Sequence, residues 1–370
     1  MSLRLKKIIN KISHDGAFLI SNFYNLLYIT GFKGLNPNER EAWGLLTKDE
    51  FYFFTDGRYF NKNLFLGIKE AKINLLTGEK NIGYYLKKIV EEKAIKNLLF
   101  EADDLKYNEV ELFKKKTGIN LIPSERLILK EREIKDEEEI EKIRKACEIA
   151  SESLNWLIKQ IKLGKKEKEL AFQLEFFIRQ RGYEIAFDPI IAFDENSAVV
   201  HYNTKENGEK EIKKGSVILV DFGVKFKNYC CDITRMIFYK PKNEVINLYE
   251  RLKKIQQETI NYINKQKNSK NFLLKEVDNF TRQLFNQQFK ILKISGYPHS
   301  TGHGVGLEIH ELPRVSFNSE DILKPGQVFT IEPGIYLNNL WGIRIEDTIF
   351  INKNFEAEIL TKFPKKAIII

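Results

Sequence analysis

A strand pattern that ends in an acidic residue occurs twice in the second half of this chain. Residues 213–223 read KKGSVILVDFG and residues 324–334 read KPGQVFTIEPG. At a constant offset (332 − 221 = 111) lysine, glycine and valine coincide, and Asp221 corresponds to Glu332. A pattern repeated over this distance indicates an internal duplication. It predicts two similar halves that meet at a pseudo-twofold axis.

Each copy continues into a second strand pattern that carries another acid. Asp232 lies in CCDITRMIFY and Glu346 in IRIEDTIFI, and Thr234 and Thr348 follow these acids by two positions. A buried carboxylate costs several kcal/mol unless it is paired or bound to a cation. Four acids that converge from apolar strands would repel one another. Bound metal, more than one ion, is the simplest compensation.

A purely structural role for each acid is the alternative. A single aspartate at a strand end is commonly a turn or cap residue, and a glutamate before proline often marks only the end of a strand. The repetition through two strands and a shared threonine favours a metal site over four independent structural residues.

The composition is that of a folded globular protein. The chain has 370 residues, enough for two domains with substantial cores. Hydrophobic residues make up 43% and charged residues 30%, which excludes general disorder. The three cysteines, Cys147, Cys230 and Cys231, give no disulfide framework and favour a reducing compartment. No secretory signal begins the chain and no apolar run reaches the roughly 18 residues of a membrane span. We therefore expect a cytoplasmic protein with no membrane partner.

The net charge of +9 raises the question of a nucleic-acid partner. The lysines alternate with glutamates in helical stretches such as KKIVEEKAIK and KKEKELAFQ. No basic cluster interleaved with aromatic residues and no zinc-finger spacing occurs. The pattern is typical of a solvated surface, and we expect no nucleic-acid partner.

A charge-dense stretch near residue 130, LKEREIKDEEEIEKIRKACEIA, divides the chain into predicted domains 1–130 and 131–370. In the first, the apolar runs FLIS, LLYIT, FYFF, INLL and LLFE predict strands, and the stretches 81–93 and 107–117 predict helices. Strands that alternate with helices indicate an α/β domain.

The second predicted domain repeats one order of elements. Apolar residues recur at helical spacing between Ile140 and Ala150, after an acidic first turn, and a second helix covers about 166–182. Strand patterns follow, then helices over about 243–265 and 270–290, then strands to the end. Two helix–helix–strand halves predict an α+β fold, in which two helical layers pack on one curved antiparallel sheet.

Histidines are concentrated in one segment. Of five in the chain, His299, His303 and His310 lie within YPHSTGHGVGLEIHELPR. The glycines of this segment allow a backbone to approach a ligand or metal closely. The segment lacks the GxGxxG spacing and the lysine of phosphate loops, and it lacks the HExxH helix of zinc proteases. His201, in AVVHYNT, ends an apolar stretch and is ambiguous by itself.

Together these motifs resemble one known family. DFG followed by DIT, TGHGVGLEIHE, IEPGIY and RIED are similar to motifs of the pita-bread metallopeptidases, in the aminopeptidase P and prolidase branch. The resemblance covers nearly the whole chain, because TDGRYF at 55–60 resembles the creatinase-like N-terminal domain of that branch. The short methionine aminopeptidases lack that domain. The resemblance implies a pita-bread catalytic domain over 131–370, preceded by a creatinase-like domain over 1–130.

The resemblance also implies a set of five metal ligands. Asp221 would chelate one ion, His303 and Glu332 the other, and Asp232 and Glu346 would bridge both. One nitrogen among oxygen ligands suits manganese, cobalt or iron, and zinc is a further option. Two such ions lower the pKa of water and polarise a carbonyl. Glu332 would also take the proton of the attacking water.

Other pocket residues follow from the same motif positions. His310 and His201 match histidines that donate hydrogen bonds to the substrate carbonyl or the tetrahedral intermediate, and His299 matches a third pocket histidine. Arg344 would touch the edge of the site, with a supporting salt bridge as its alternative role. Arg314 matches the arginine that approaches the substrate carboxylate in prolidase relatives.

The resemblance implies a peptidase that cleaves the bond before proline in proline-containing peptides and forms a homodimer. Proline has no N–H and a fixed ring, so general peptidases handle this bond poorly. The first expectation is an Xaa-Pro aminopeptidase (aminopeptidase P), and the alternative is an Xaa-Pro dipeptidase (prolidase). A creatinase-like enzyme and a non-catalytic pita-bread binding module are less favoured, because the complete ligand set is present.

Overall fold

The computed structural model describes residues 3–32, 36–37, 39–60, 71–266, 269, 271–290 and 297–370. The chain divides into two units, Met1–Arg132 and Glu133–Ile370. In the described part of the chain, no helix combines the length and the apolar character that crossing a membrane requires.

The first unit is an α/β domain, as the sequence predicts. Its strands are β1 (Gly16–Ile20), β2 (Ala42–Leu46), β3 (Phe51–Asp56), β4 (Ala71–Leu76), β5 (Asn97–Glu101) and β6 (Asn120–Ser124). Its helices are α1 (Leu3–Ile9), α2 (Phe23–Thr30), α3 (Ile82–Glu92), α4 (Tyr107–Thr117) and α5 (Leu127–Arg132). The strands form one sheet in the order β4-β3-β2-β1-β5-β6, in which β2 is antiparallel to both neighbours. Leu86 of α3 and Phe113 of α4 join the core on one face of this sheet.

One strand prediction in this unit is wrong. The apolar run LLYIT belongs to helix α2. The side chain of Asn22 caps the helix by accepting a hydrogen bond from the amide of Asn25 at 3.1 Å. Gly31 ends it in the left-handed conformation, with φ of 65°. A short apolar run fits a buried strand or a buried helix equally well, and the caps at its two ends decide between them.

The second unit carries the predicted two pairs of long helices. Its helices are α6 (Glu137–Ile158), α7 (Glu167–Gln180), α8 (Thr204–Asn207), α9 (Asn243–Lys265) and α10 (Lys275–Phe289), and a 3₁₀ turn covers Asp194–Ala198. Helix α6 begins with a capping box, in which Asp136 and Glu139 each accept a hydrogen bond from the backbone amide of the other. Helix α10 begins at Lys275 rather than near 270, because Leu273 forms a β-bridge with Ile322.

The strands of this unit form one large sheet and two small ones. They are β7 (Glu184–Ile185), β8 (Ile190–Phe193), β9 (Val217–Phe222), β10 (Val224–Phe226), β11 (Tyr229–Cys230), β12 (Ile233–Phe238), β13 (Gly302–Gly304), β14 (Glu311–Val315), β15 (Val328–Ile331), β16 (Gly334–Leu337), β17 (Trp341–Arg344), β18 (Glu346–Ile351), β19 (Ala357–Ile359) and β20 (Ile368–Ile369). Among the described residues, the large sheet has nine strands in the order β14-β13-β15-β18-β12-β9-β8, with β19 on β18 and β20 on β12. Tyr249 of α9 and Phe285 of α10 pack in a core with Leu219 and Met236 of this sheet.

The two halves of the duplication meet inside the large sheet. In the first half β9 pairs antiparallel with β12, and in the second half β15 pairs antiparallel with β18. Strands β12 and β18 pair only through Ile233 with Asp347 and through Thr234 with Glu346. We call these two residue pairs the seam. Helix–helix–strand halves around an antiparallel sheet confirm the predicted fold.

A buried arginine holds the two strands together just beyond the seam. The guanidinium of Arg235 donates to the backbone carbonyl of Glu346 at 2.5 Å and to Oδ1 of Asp347 at 2.6 Å. Both side chains are almost completely buried, at 1% and 0% exposure. Thr361 and Lys365 also contact the Asp347 carboxylate, at 2.8 and 3.0 Å. This network fixes the backbone that carries Glu346.

We expect the Asp347→Ala substitution to destabilise the second unit strongly. It leaves the Arg235 guanidinium buried without its carboxylate, and breaking a buried pair from one side costs roughly 3–5 kcal/mol. Urea denaturation of chelator-treated protein measures this loss without a contribution from metal. The control is Glu137→Gln. Glu137 forms an ion pair with Lys353, and the two side chains are 85% and 86% exposed. The urea midpoint of this variant should equal that of the wild type. A wild-type midpoint for Asp347→Ala would contradict the importance of the buried pair.

Candidate metal centre

One cavity of about 280 Å³ brings nine of the ten predicted site residues together. The nine are Asp221, Asp232, Glu332, Glu346, His201, His299, His303, His310 and Arg344. Apolar side chains of Phe187, Ile190, Val200 and Ile309 complete much of its wall. The predicted acids and histidines therefore share one concave site, which is the usual form of a small-molecule or peptide site.

Asp221 lies near the end of β9 and is held by an arginine from the second half. Its Oδ2 accepts a hydrogen bond from Nη2 of Arg344 at 2.5 Å, and the Arg344 side chain is only 3% exposed. Arg344 also donates from Nε to the hydroxyl of Thr234 at 3.1 Å. Arg344 lines the cavity and forms a buried salt bridge there, and its role toward a substrate stays a prediction.

The two acids at the seam are supported by threonines from opposite halves. The Thr234 hydroxyl of the first half donates to Oε2 of Glu346 at 2.7 Å. The Thr348 hydroxyl of the second half donates to the backbone carbonyl of Asp232 at 2.8 Å and accepts from its amide at 3.2 Å. Each threonine that follows an acid by two positions thus forms hydrogen bonds with the acidic residue of the other half, across the pseudo-twofold axis.

His303 on β13 presents one ring nitrogen to the acids. Its Nδ1 lies 3.2 Å from the carbonyl oxygen of Gly304, to which it donates in the neutral tautomer. Its Nε2 then faces Asp232 at 3.6 Å and Glu332 at 3.5 Å. The Thr330 hydroxyl accepts from the His303 amide at 3.1 Å and donates to Oε1 of Glu332 at 3.2 Å. A histidine fixed through Nδ1 to a carbonyl is the arrangement that leaves Nε2 available to a metal.

The carboxylates are poorly compensated by the protein alone. Burial raises the pKa of Asp232 and the pKa of Glu346 far above their ordinary values, and repulsion from the neighbouring carboxylates raises them further. Burial also raises the pKa of Glu332 to about 8, although Arg344 opposes this shift. Burial lowers the pKa of His303 to about 3, so its imidazole is neutral. Among the residues lining the cavity, Arg344 is the one fixed cation.

These groups fit divalent metal. In the described part of the chain, Oδ1 of Asp221 and Oδ1 of Asp232 are buried and have no hydrogen-bond partner. Ligand atoms of Asp232, His303 and Glu346 all lie within 4.8 Å of one another. Buried acceptors without donors are rare unless an ion or water satisfies them. A cation bound here would satisfy both oxygens and offset the repulsion between the acids.

A tyrosine that the sequence analysis did not single out belongs to the same site. The hydroxyl of Tyr336 accepts from Nη1 of Arg344 at 2.9 Å and lies 2.8 Å from Nε2 of His299. Nδ1 of His299 faces the carbonyl oxygen of Ser300 at 2.7 Å, which leaves Nε2 to accept the tyrosine proton. Burial lowers the pKa of His299 to about 3 and thus keeps this ring neutral. The sequence could have indicated this residue, because Tyr336 is the last residue of the IEPGIY motif.

The remaining predicted residues differ in their placement. The His310 ring lies 4.2 Å from that of His303, centroid to centroid, and desolvation lowers its pKa. His201 lines the cavity and is exposed. Arg314 does not line it. Arg314 stands opposite His303 on β14 with an exposed side chain, and its role toward a substrate carboxylate stays a prediction.

Comparison with known proteins identifies two family domains. The profile of metallopeptidase family M24 matches residues 141–353, and the profile of the creatinase/prolidase N-terminal domain matches residues 3–134. The Xaa-Pro dipeptidase of Pyrococcus horikoshii is 34% identical over 382 aligned residues, which cover 100% of this chain and 99% of the relative.

Solved structures of similar proteins also match the chain over nearly its full length. The structure of an Xaa-Pro dipeptidase from Bacillus anthracis superimposes with a TM-score of 0.87 and 31% identity, covering 99% of both chains. An X-Pro aminopeptidase from Thermotoga maritima MSB8 superimposes with a TM-score of 0.83 and 30% identity, covering 98% of this chain and 100% of that one. The likeness thus extends over both units and includes enzymes of two related names.

Metal content should separate the ligands from the other cavity residues. We expect chelation to empty the protein and added manganese or cobalt to restore two ions per chain. His303→Ala should lose at least one ion and Asp232→Asn should bind both poorly, because a bridging acid is their shared anchor. His310→Ala should keep close to wild-type content. Elemental analysis after gel filtration measures all four proteins. Full loading of Asp232→Asn, or metal loss in His310→Ala, would contradict this ligand set.

Proposed function

Because this chain belongs to metallopeptidase family M24 and carries the creatinase/prolidase N-terminal domain, we propose that it is an Xaa-Pro dipeptidase. The sequence analysis alone ranks an Xaa-Pro aminopeptidase first and an Xaa-Pro dipeptidase second. A dipeptidase relative that matches from end to end and a dipeptidase structure with a TM-score of 0.87 favour the dipeptidase.

The convergence of four carboxylates and four histidines on one cavity is the observation that carries this proposal. Such a site suits hydrolysis at a carbonyl, since it combines proton acceptors, hydrogen-bond donors and a place for cations. Two divalent ions held there would acidify a water molecule and polarise the scissile carbonyl. Manganese is our first choice, and cobalt, iron and zinc are alternatives.

The side chains of the chain itself account for proton transfer and orientation. Glu332 lines the cavity and would accept the proton of the attacking water and then release it to the leaving amine. His310 and His201 face the same cavity and would donate hydrogen bonds to the oxygen on which negative charge develops. Tyr336 and Arg344 hold His299 and Asp221 in fixed orientations.

The prolyl residue fits a cavity of this kind. A proline nitrogen has no hydrogen to donate, so no acceptor has to be provided for it. The apolar wall formed by Phe187, Ile190, Val200 and Ile309 would bind hydrocarbon on the substrate. The proposed substrates are therefore short proline-containing peptides.

An Xaa-Pro aminopeptidase is the second candidate. It is supported by the superposition on the Thermotoga maritima X-Pro aminopeptidase. The two activities share the scissile bond and differ in the group on the C-terminal side of proline. This group is a free carboxylate in a dipeptide and a further residue in a longer peptide.

We also propose a homodimer in a reducing, cytoplasmic environment. Three free and buried cysteines support a reducing compartment. The homodimer is carried over from the family resemblance, and sedimentation equilibrium tests it directly.

Product analysis should distinguish the two peptidase activities. We expect the manganese-loaded protein to cleave Leu-Pro, with kcat/KM for Leu-Pro-Ala lower by about tenfold or more. Leu-Ala is the control peptide, and Asp232→Asn is the control protein against contaminating peptidases. Equal release of leucine from Leu-Pro-Ala would assign an aminopeptidase instead. No cleavage of either prolyl peptide would reject both candidates.

His310→Ala should separate transition-state stabilisation from folding. We expect kcat to fall by roughly 10²–10³, the usual effect of removing one transition-state donor, with the melting temperature unchanged. His14→Ala is the matched control, because His14 is an exposed histidine of the first unit. If His310 only packs against its neighbours, the variant will instead melt earlier and its folded fraction will turn over normally.

A further inference from the structure

One irregular loop sets the relative position of His303 and His310. The loop 305–310 joins β13 to β14, with His303 two residues before the loop begins and His310 at its last position. The two rings meet edge to face at 65°, with centroids 4.2 Å apart. Residues 305–310 form no helix or strand. The distance between the two rings is therefore not fixed by regular secondary structure. Other interactions must therefore determine how the loop closes.

The carboxylate of Glu311 lies inside this loop. Its Oε2 accepts a hydrogen bond from the backbone amide of Glu308 at 3.2 Å. A Cβ atom at Gly306 would come within 2.2 Å of its Oε1. The backbone at Gly306 thus packs directly on the carboxylate, and only glycine fits there. Glu311 directly follows His310 in the chain, so the side chain that binds the loop backbone belongs to the residue next to the histidine.

Lys135 compensates the charge of Glu311 from the other side. Its Nζ lies 2.8 Å from Oε1 of Glu311, and the side chains of the two residues are only 1% and 2% exposed. The same ammonium lies 3.5 Å from the carbonyl oxygens of Glu133 and Leu312. The backbone amide of Lys135 donates to the carbonyl of Gly326 at 2.9 Å. Lys135 is therefore anchored independently of the loop.

Stability alone does not account for this ion pair. Desolvation of two buried charges offsets most of their attraction, and apolar residues of similar volume are often as stabilising. A carboxylate, however, can accept hydrogen bonds from a loop amide and from an ammonium group at the same time. The two contacts together restrict the position of the loop backbone relative to the ammonium. The pair therefore fixes a conformation that apolar side chains would leave less defined.

We propose that Lys135 and Glu311 are positioning residues that close the loop 305–310 and hold His310 at its distance from His303. Their effect on turnover rests on the proposed function, because it acts through His310 on the reacting carbonyl. Their effect on the distance between the two rings does not depend on it. A displacement of about 1 Å at a catalytic group can reduce turnover by about 10²-fold.

A double-mutant cycle with His310 tests the proposal. We expect Lys135→Met to lower kcat on Leu-Pro by about 10²-fold with unchanged KM and metal content. In the His310→Ala background the same substitution should have no further effect, because its action passes through the missing ring. Glu311→Asp keeps the charge but shortens the side chain, and it should give the same coupling if Lys135→Met does not fold.

Arg144→Met is the matched control. Arg144 pairs with Glu358 between α6 and β19, and we expect no change of kcat in either background. A kcat loss of equal size with and without His310 would overturn the proposal, because a general structural role predicts additive effects. Wild-type kcat in both Lys135→Met and Glu311→Asp would overturn it as well.

A spectroscopic measurement separates this proposal from the proposed function. In zinc-loaded protein with labelled histidines, a nuclear Overhauser effect should join the rings of His303 and His310. Lys135→Met should weaken or abolish it, and Arg144→Met should retain it. If the wild-type enzyme is inactive on prolyl peptides, the proposed function is rejected. The Overhauser effect would then still decide whether Lys135 positions His310. An unchanged effect in Lys135→Met would reject the positioning role even if the enzyme is a prolyl peptidase.

Discussion

Repulsion between four carboxylates at a narrow seam is the constraint on which the second unit depends. Two residue pairs join β12 to β18, and beyond them β12 pairs with β20 while β18 pairs with β19. Glu346 belongs to this seam and Asp232 directly precedes it, and both side chains are almost completely buried. Arg344 neutralises part of the charge through Asp221. Bound cations would offset the remaining negative charge, so an arrangement that is unfavourable without metal would favour metal binding.

The groups behind the acids determine how that site is shaped. The hydroxyls of Thr234 and Thr348 bond acids of the opposite half, so neither half can shift without losing a contact to the other. Arg235 fills the space where the strands separate and binds the backbone of Glu346. Such supporting bonds orient ligands before an ion arrives, and their loss commonly lowers metal affinity by about 10–100-fold. The duplication therefore supplies the predicted ligands together with the groups that support them.

The sequence predicted what is encoded locally and missed what depends on distant contacts. The repeated acids and threonines were visible because each repeat lies within a few residues of one strand. The strand predicted at LLYIT was wrong because capping by Asn22, outside the run, selects a helix. Arg235 meets Asp347 across 112 positions, and Lys135 meets Glu311 across 176 (311 − 135). Neither pairing leaves a spacing that a single sequence reveals. A lysine in a charge-dense stretch suggests a solvated surface, whereas folding buries Lys135.

The overall fold does not decide between a dipeptidase and an aminopeptidase. Structures named as a dipeptidase and as an aminopeptidase both share this fold over their full lengths, so the fold does not distinguish the two activities. A dipeptide substrate carries a free carboxylate on its prolyl residue, which a nearby cationic side chain would bind favourably. Arg344 donates to Thr234, Tyr336 and Asp221, and the carboxylate of Asp221 already offsets its charge. Arg314 is exposed on β14 opposite His303, and its guanidinium carries no such commitment to the acids. If the chain is the proposed dipeptidase, the predicted role of Arg314 would require its long side chain to reach the cavity when substrate binds, and length selectivity would then depend on that side chain.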